Sequence, residues 1–312
     1  MPNQYPVAPG FGNISTTAMR YVPSVYSPRL LRSFYSRTVY GEIANTWHEE
    51  EIKNQGDIVY IRQRPEITIR THRKGQALVN ETPTTTSTSL SIDNGRYWSF
   101  ADSKVDEAQS DLDYVAEWTD DASKRLKINV DTFINANVYT SAAAANQGLT
   151  AGNISGDINL GVSGTPLAVT KSNITDVIVD CGTVLDEQDV PEDDFRWIVL
   201  PSRFVGLLKQ SDLKNADLTG DSVSPLRNGR VGEIDRFTVY QSNLLDTTTD
   251  GAFNVFNCIF GTREGISFAS QLLYNRVIDN PNAFGRLYQG LQVFGFAVTK
   301  PEALGWLYAY KG

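Results

Sequence analysis

The segment that decides the fold is residues 110–139, SDLDYVAEWTDDASKRLKINVDTFINANVY. Apolar residues recur along it at the spacing of one helix face, at Val115, Trp118, Ala122, Leu126, Val130, Phe133 and Val138. Asp120–Lys124 and Asp121–Arg125 add favourable i,i+4 pairs. About 28 residues at about 1.5 Å each predict a helix roughly 42 Å long. Since globular helices average about 11 residues, this one is long for a globular domain.

Upstream of this helix, residues 51–101 are predicted to form a long β-hairpin. Ile58–Ile61 follows a Gly-Asp turn, and Ile67–Arg70 alternates apolar and polar residues like a strand. His72–Gly75 is a polar tip, and Thr84–Ile92 is a return strand rich in Thr and Ser. That return strand has little to bury within its own subunit. We therefore expect the hairpin to need another surface, because an isolated hairpin is marginal in water.

The segments on either side complete the predicted order of elements. Residues 1–50 are predicted to form an extended arm, since Pro, Gly and Asn are frequent in its first half. After the long helix, Asn173–Leu185 and Phe204–Leu208 are predicted helices. Strands are also predicted after the long helix, at residues 197–200, 236–240, 253–260 and within 284–310. The mixture predicts an α+β protein.

Composition excludes several classes of protein. The 312 residues carry a net charge of −8, whereas proteins that coat nucleic acid non-specifically are normally basic. Two cysteines make no disulfide framework. Residues 1–12 lack the basic and apolar segments of a signal peptide, and no apolar run is long enough to span a bilayer. The sequence therefore predicts folding in the cytosol and no membrane partner.

The sequence offers no catalytic constellation. His48 and His72 are the only histidines, and their spacing does not support a metal site. Neither a G-x-S-x-G nucleophile elbow nor a G-x-x-x-x-G-K-[ST] phosphate loop occurs. Cys181 lies on an apolar helix face, which favours a buried structural thiol over a nucleophile. We expect no enzyme activity, no catalytic residue, no metal and no cofactor.

Charged residues are distributed unevenly between the hairpin and the long helix. The hairpin is basic, with Arg62, Arg64, Arg70, Arg73 and Lys74. The stretch from 102 to 121 is acidic, and its candidate contact residues are Asp106, Glu107, Asp111, Asp113, Glu117, Asp120 and Asp121. The first 40 residues have four cations and no acid, namely Arg20, Arg29, Arg32 and Arg37. Two interpretations stay open for the first two groups: ordinary solvated surfaces, or a charge match between subunits.

This order of elements resembles the major capsid (coat) proteins of tailed bacteriophages, whose shared architecture is called the Johnson fold. Residues 51–61, EIKNQGDIVYI, are similar to the beginning of the family's extended loop, and residues 106–122 to the start of its spine helix. Residues 197–201, WIVLP, and residues 232–243, GEIDRFTVYQSN, are similar to its axial-domain core. The resemblance covers most of the chain, from about residue 27 onwards.

The resemblance implies both a domain division and a role. It implies an N-terminal arm (1–50), an extended hairpin (51–101), a peripheral domain with the spine helix (102–165 and 275–312) and an axial domain (166–274). It implies hexamers and pentamers in an icosahedral virion shell around double-stranded DNA, which is contacted only weakly and non-specifically. A separate scaffolding protein, a portal, and assembly in the host cytoplasm are implied too. The arm is expected to face the shell interior or to lie along a neighbour.

Three alternatives remain open at this stage. The same fold builds encapsulin-type nanocompartment shells, which hold cargo enzymes rather than DNA. A tail-tube or decoration protein is a β-rich virion component, but the long helix argues against it. A hydrolase with an unrecognised site is disfavoured by the shortage of histidine.

Overall fold

The long helix runs unbroken from Tyr114 to Val138 in the computed structural model of the protein. One face of its second half is buried, at Leu126, Val130, Ile134 and Val138. Its first half is far less covered, and the side chain of Trp118 is 45% exposed. The structure describes residues 38–47, 58–65, 67–104, 114–191, 195–211, 232–281 and 283–312. The helix start predicted at Ser110 lies outside these residues.

Four helices and twelve strands occur in the described part of the chain. The helices are α1 (Tyr40–Ile43), α2, which is the long helix (Tyr114–Val138), α3 (Ile174–Asp186) and α4 (Ser202–Gln210). The strands are β1 (Ile58–Arg62), β2 (Ser87–Ser91), β3 (Asn94–Ser103), β4 (Leu167–Val169), β5 (Arg196–Leu200), β6 (Glu233–Ile234), β7 (Phe237–Gln241), β8 (Thr247–Asp250), β9 (Phe253–Thr262), β10 (Ile266–Asp279), β11 (Gly285–Val298) and β12 (Leu304–Lys311). Single 3-10 turns lie at Tyr139–Ser141, Ala144–Asn146 and Pro301–Ala303.

The larger sheet forms the main core. Among the described strands its order is β4-β12-β9-β5-β7-β6, with β8 paired to β9. Strand β5 is buried along its whole length, and it lies between β7, which is parallel to it, and β9, which is antiparallel. Helix α3 packs against β12, and α4 packs against β5. A continuous apolar run such as Trp197–Leu200 suits a strand that is covered on both faces.

The smaller sheet is antiparallel, in the order β10-β11-β3. Alternation along β11 sends its side chains to two different neighbours. Phe294 and Phe296 contact Phe133 of α2, with ring centroids 6.0 Å apart in both pairs. Val293 and Ala297 lie on the opposite face, where they pack against the base of the β1–β2 hairpin. The long helix and the hairpin base therefore cover opposite faces of one sheet.

Most predicted elements are confirmed within a few residues. The long helix, α3, α4, β5, β7 and β9 all lie where apolar periodicity placed them. The α+β class is confirmed as well. Periodicity succeeded at these segments because each has one face, or both, against the core.

Two features of the C-terminal half differ from the prediction. The 14-residue strand β10 was not predicted, and it pairs with β11 along its length. Strand β12 was expected in the peripheral domain with the long helix, but it pairs with β9 and β4 in the seven-stranded sheet. The expected division at residue 275 is corrected for this strand, because a strand's sheet depends on its hydrogen-bonded neighbours rather than on its place in the chain.

The strand predicted at Ile67–Arg70 is not formed. Backbone pairing between the two arms of the hairpin ends just beyond β1, where the backbone N–H of Gln63 donates to the Thr86 carbonyl oxygen at 2.9 Å. Ile67 and Ile69 are 65% and 92% exposed. Alternation predicts a strand when one face is buried, and within this subunit neither face is.

A buried carboxylate on the long helix anchors the segment around α1. Asp131 Oδ2 accepts the backbone N–H groups of Val39 at 2.6 Å and Tyr40 at 3.5 Å. The Tyr40 hydroxyl donates to Asn135 Oδ1 at 3.0 Å. Burial raises the pKa of Asp131 to about 6, although the two amide hydrogen bonds act in the opposite direction. Val39 and Tyr40 are therefore attached to the long helix at a defined point.

Asp131→Asn is expected to remove one component of the pH dependence of stability. Because the pKa of Asp131 is raised on folding, from 3.8 to about 6, protonation of this group stabilises the fold. The contribution is complete below about pH 4 and is lost as pH rises through about 6, a difference of about 2–3 kcal/mol. The substituted amide keeps an acceptor for the Val39 N–H. Urea denaturation of dissociated subunits at pH 4–7 measures this difference, and equal pH slopes in both proteins would contradict it.

Candidate assembly surface

The base of the hairpin is fixed to its own subunit. Leu90 is fully buried and Ile92 nearly so, packed against Ala269 of β10. The expectation that this strand buries little within its own chain is therefore wrong. Sequence periodicity missed the contact because its receiving surface is β10, which was not predicted. Gly295 makes the contact possible: a Cβ there would lie 2.0 Å from the Ser91 carbonyl oxygen.

Beyond its base, the hairpin exposes apolar residues. Ile69 is 92% exposed and Leu78 78% exposed, and Ile67 and Val79 are similarly open. Gly75, at φ +84°, allows the tight turn at the tip. Charge predicts a basic, polar tip, but its four exposed aliphatic side chains are a further property that charge does not indicate. The alternation of Ile67 and Ile69 predicts a strand, and it is also the sequence signal for this exposed apolar surface.

The predicted cations lie on the same exposed segment. Arg62, Arg64, Arg70, Arg73 and Lys74 are all exposed to solvent. One of them has a partner across the hairpin, since Arg70 lies 3.7 Å from Glu81. Thr68 also donates to Glu81, from both its amide and its hydroxyl, at 3.4 Å. The tip therefore combines positive charge with apolar surface.

Only some of the acidic residues predicted to contact a neighbouring subunit lie in the part of the chain that the structure describes. Asp106, Glu107, Asp111 and Asp113 lie outside the described residues, as do Arg20, Arg29, Arg32 and Arg37 of the arm. Glu117 is exposed on the first half of the long helix. Asp120 and Asp121 are each held by a cation one turn further on, Lys124 at 2.5 Å and Arg125 at 2.7 Å. A charge match between subunits would have to compete with these two pairs.

A groove of about 430 Å³ lies between β3 and the long helix. Its floor is aromatic and apolar: Phe100 stacks on Trp98 at 5.5 Å and meets the edge of Trp118 at 5.7 Å. Its remaining lining is Arg96, Tyr97, Asp121, Ala122, Arg125, Leu126 and Asn129. Arg96 is held in place, with Nε donating to Asn129 Oδ1 at 2.9 Å and its guanidinium 4.8 Å from the centre of the Phe133 ring.

At a surface of this kind, burial of an apolar side chain contributes more binding free energy than an exposed ion pair does. Fully burying an Ile or Leu side chain stabilises a complex by about 1.5–3 kcal/mol. An exposed ion pair contributes about 0–1 kcal/mol. If a partner covered the tip, burial of its four aliphatic residues would contribute more affinity than its cations, whereas charge acts at longer range.

The described residues contain no group of three His, Cys, Asp or Glu side chains placed to hold a metal ion. Within the same ranges, none of the helices is long and apolar enough to cross a bilayer. Burial raises the pKa of the Cys181 and Cys258 thiols, and both side chains are fully buried.

Comparison with known proteins now gives the family. The model of the family described as phage capsid protein matches residues 84–309. This span includes the long helix, the three-stranded sheet and most of the seven-stranded sheet. No curated protein sequence matches the chain.

Solved structures agree in fold along nearly the whole chain. A chain from Mycobacterium phage Che8 is 21% identical with a TM-score of 0.74, covering 95% of this chain and 97% of that one. A capsid chain of cyanophage P-SCSP1u is 16% identical with a TM-score of 0.71, covering 94% of each. A capsid chain of a native GTA particle is 14% identical with a TM-score of 0.67, covering 96% of this chain and 100% of that one. Since the family model matches well over half of its residues, the chain belongs to the phage capsid protein family.

Proposed function

We propose that many copies of this chain assemble as hexamers and pentamers into an icosahedral shell around double-stranded phage DNA. Membership of the phage capsid protein family makes the chain a structural component of the virion capsid. The observation that carries the finer proposal is end-to-end similarity to capsid chains, with 94% of both chains covered for cyanophage P-SCSP1u. A subunit of the same extent and architecture is suited to the same kind of shell. The match to a phage family also disfavours an encapsulin-type nanocompartment.

We further propose that the chain has no catalytic role. Support comes from cysteine and histidine in the part of the chain that the structure describes: both thiols are buried with raised pKa values, and His72 is exposed at the hairpin tip. His48 lies outside the described residues. Assembly in the host cytoplasm, a separate scaffolding protein and a portal belong to the same proposal. So do weak DNA contacts and an interior position for the arm that carries Arg20, Arg29, Arg32 and Arg37.

Electron microscopy of the purified protein tests the shell directly. Expression of the full chain in a bacterium is expected to yield closed shells, or open sheets and tubes, built from six-membered rings. Protein that sediments as a monomer at every concentration and forms no rings would contradict the proposal. Particles that enclose a host enzyme as cargo would favour the nanocompartment.

Charge reversal on the hairpin tests whether its cations contribute to assembly. Arg70, Arg73 and Lys74 changed together to Glu are expected to abolish shells while the subunit still folds, because three cations that face acids would become repulsive. A compensating Asp120→Lys change is expected to restore part of the yield. Sedimentation and circular dichroism measure assembly and folding separately.

The matched control reverses three exposed cations away from the hairpin, Lys171, Arg203 and Lys311. It has the same net charge as the hairpin triple variant, so any general effect of charge on solubility is shared. Normal shells from the hairpin variant at physiological salt would reject charge matching and leave the hairpin's role to packing alone.

A further inference from the structure

We propose that a site on the three-stranded sheet binds the Pro6–Pro9 segment of the same chain in the polyproline II conformation, with the two prolines packed on Tyr97 and Tyr274. The segment belongs to the arm (residues 1–50), for which the sequence predicts an extended course. This inference goes beyond the proposed function, because the contact forms within one subunit and does not require a shell.

The site is a row of side chains that crosses all three strands on one face of the sheet. Tyr97 of β3 is opposite Leu291 of β11, and Leu291 is opposite Tyr274 of β10. Residues directly opposite each other in antiparallel strands lie on the same face. Tyr97 is 78% exposed and Tyr274 is 51% exposed, whereas Leu291 is half-buried between them. Two exposed rings therefore flank an apolar floor, in a cavity of about 390 Å³ that we call the tyrosine site.

Polar side chains line the next row of the tyrosine site. Arg276 Nε donates to Gln289 Oε1 at 2.8 Å, and Gln289 Nε2 donates to Ser99 Oγ at 3.2 Å. A polyproline II segment makes no internal hydrogen bonds, so its carbonyl oxygens need donors from outside. Guanidinium groups and tyrosine hydroxyls are such donors. The site therefore combines apolar rings with the polar groups that this backbone conformation requires.

The chain contains one segment with the matching pattern. Pro6 and Pro9 are the only two prolines in the sequence that are three residues apart, and the two residues between them are apolar. The first 19 residues have no charged side chain, so the segment brings no second cation to Arg276. Segments of the form P-x-x-P bind in grooves lined by aromatic rings, because their polyproline II conformation costs little entropy to order.

The spacing of the prolines agrees with the spacing of the tyrosines. Three residues of polyproline II at about 3.1 Å each place Pro6 and Pro9 about 9.3 Å apart. Tyr97 and Tyr274 are two strands apart, which at about 4.8 Å per strand is about 9.6 Å. Each proline ring can therefore rest on one tyrosine ring, with the two intervening residues above Leu291.

The groove between β3 and the long helix does not offer this arrangement. Its Trp98 and Phe100 rings are stacked on each other, with centroids 5.5 Å apart, and Phe100 also meets the edge of Trp118. Asp121 and Arg125 add charged side chains to its lining. An uncharged segment with two prolines about 9.3 Å apart therefore matches the tyrosine site better.

The chain between the segment and its first described attachment is long enough for this contact. Residues 10–38 separate Pro9 from Val39, which is bound to the long helix. A flexible chain of this length has a root-mean-square span of about 30 Å. That exceeds the helix diameter of about 10–12 Å, which the chain must pass to reach the other face of the sheet. Because the partners are tethered, a contact too weak to hold a free peptide can be populated within one chain.

Nitration of tyrosine in dissociated full-length subunits tests the inference. Tetranitromethane nitrates exposed rings, and peptide mapping by mass spectrometry gives a rate for each. The double change Pro6→Ser and Pro9→Ser is expected to raise the rates at Tyr97 and Tyr274 about threefold or more, as when a contact populated about two-thirds of the time is lost. The rate at Tyr60, which is 66% exposed on the hairpin, is expected to stay the same.

The matched control is the double change Pro23→Ser and Pro28→Ser, which removes two prolines of the same arm that are five residues apart. It is expected to leave the nitration rates at Tyr97 and Tyr274 at their parent values. Unchanged rates in the Pro6 and Pro9 variant would overturn the inference. An equal increase in the control variant would overturn it too.

Photo-crosslinking in dissociated subunits is a second measurement. Val7 is replaced by the photoreactive residue p-benzoylphenylalanine in the full chain, and irradiation is expected to join it to Tyr97, Leu291 or Tyr274. Adding Tyr97→Ala and Tyr274→Ala is expected to abolish these cross-links. Cross-links to the groove beside the long helix instead would overturn the inference. Since both experiments use subunits before assembly, a failure to form shells would contradict the proposed function alone.

Discussion

Gly295→Val is expected to detach the base of the hairpin from the three-stranded sheet and to lower the free energy of unfolding by about 3 kcal/mol or more. The cause is steric, since a Cβ at this position would lie 2.0 Å from the Ser91 carbonyl oxygen and 3.0 Å from the Ile92 Cα. Both are backbone atoms, which cannot move aside as the end of a flexible side chain can. The hairpin must shift instead, and Leu90 and Ile92 lose their burial.

Gly95→Val is the matched control. Gly95 pairs with Val293 on the adjacent strand of the same sheet, and a Cβ there would have no atom within 4 Å. Valine suits an exposed strand position, so this variant is expected to be as stable as the parent protein or slightly more so. Urea denaturation of dissociated subunits gives both values, and electron microscopy reports the loss of shells for Gly295→Val alone. Equal stability of the two variants would show that the hairpin base tolerates displacement.

Asp186→Ala is expected to be the most destabilising single removal of charge, at about 3–5 kcal/mol. The Arg196 side chain is completely buried, and its guanidinium lies 2.7 Å from Asp186 Oδ1. Its other hydrogen bond goes to the Val190 carbonyl at 2.9 Å, and Nε and Nη1 have no partner among the described residues. Removing the carboxylate would therefore leave a buried cation almost unsatisfied.

The pKa of Asp186 also indicates that its carboxylate is stabilised by the two arginines. Burial acts to raise the pKa, but hydrogen bonds from Arg236 and Arg196 outweigh it, and the pKa is lowered. A carboxylate with a lowered pKa contributes stability above its unfolded pKa and loses it as pH falls through the folded value. The pair should therefore stabilise the subunit at neutral pH and fail under strong acid.

Arg196→Met distinguishes the loss of stability caused by an unpaired buried cation from the loss caused by removing the ion pair itself. An apolar side chain of similar length removes the buried cation, and Asp186 keeps Arg236 at 2.8 Å. This variant and the double variant Asp186→Ala/Arg196→Met are expected to lose far less stability than Asp186→Ala alone. A double variant as unstable as the sum of the two single variants would show that the residues act independently.

The elements that face one continuous core were predictable from sequence. Helix α3 and strand β5 have apolar patterns of the correct period, and the apolar face of α3 and the whole of β5 are buried. The long helix was predicted for the same reason, although only its second half is deeply buried. Local periodicity carries this information because each residue's environment repeats along the element.

Elements whose partners are distant in sequence were not predictable. Strand β10 was missed, and with it the surface that buries Leu90 and Ile92. Strand β12 joins the seven-stranded sheet through β9, a pairing that no local pattern of β12 encodes. At Ile67–Arg70 the pattern was correct for a strand, but the burial that would stabilise one is absent within the subunit.

For the candidate site, the sequence by itself determined composition: a basic hairpin, an acidic approach to a long helix, and the absence of recognised catalytic motifs. Only the tertiary structure decided which of these residues are exposed, which acids already have partners, and that an aromatic groove lies on the face opposite the hairpin. The physical reason is that charge and periodicity are properties of the chain, whereas grooves and exposed apolar patches are created when β3, β11 and the long helix, which are far apart in sequence, pack together.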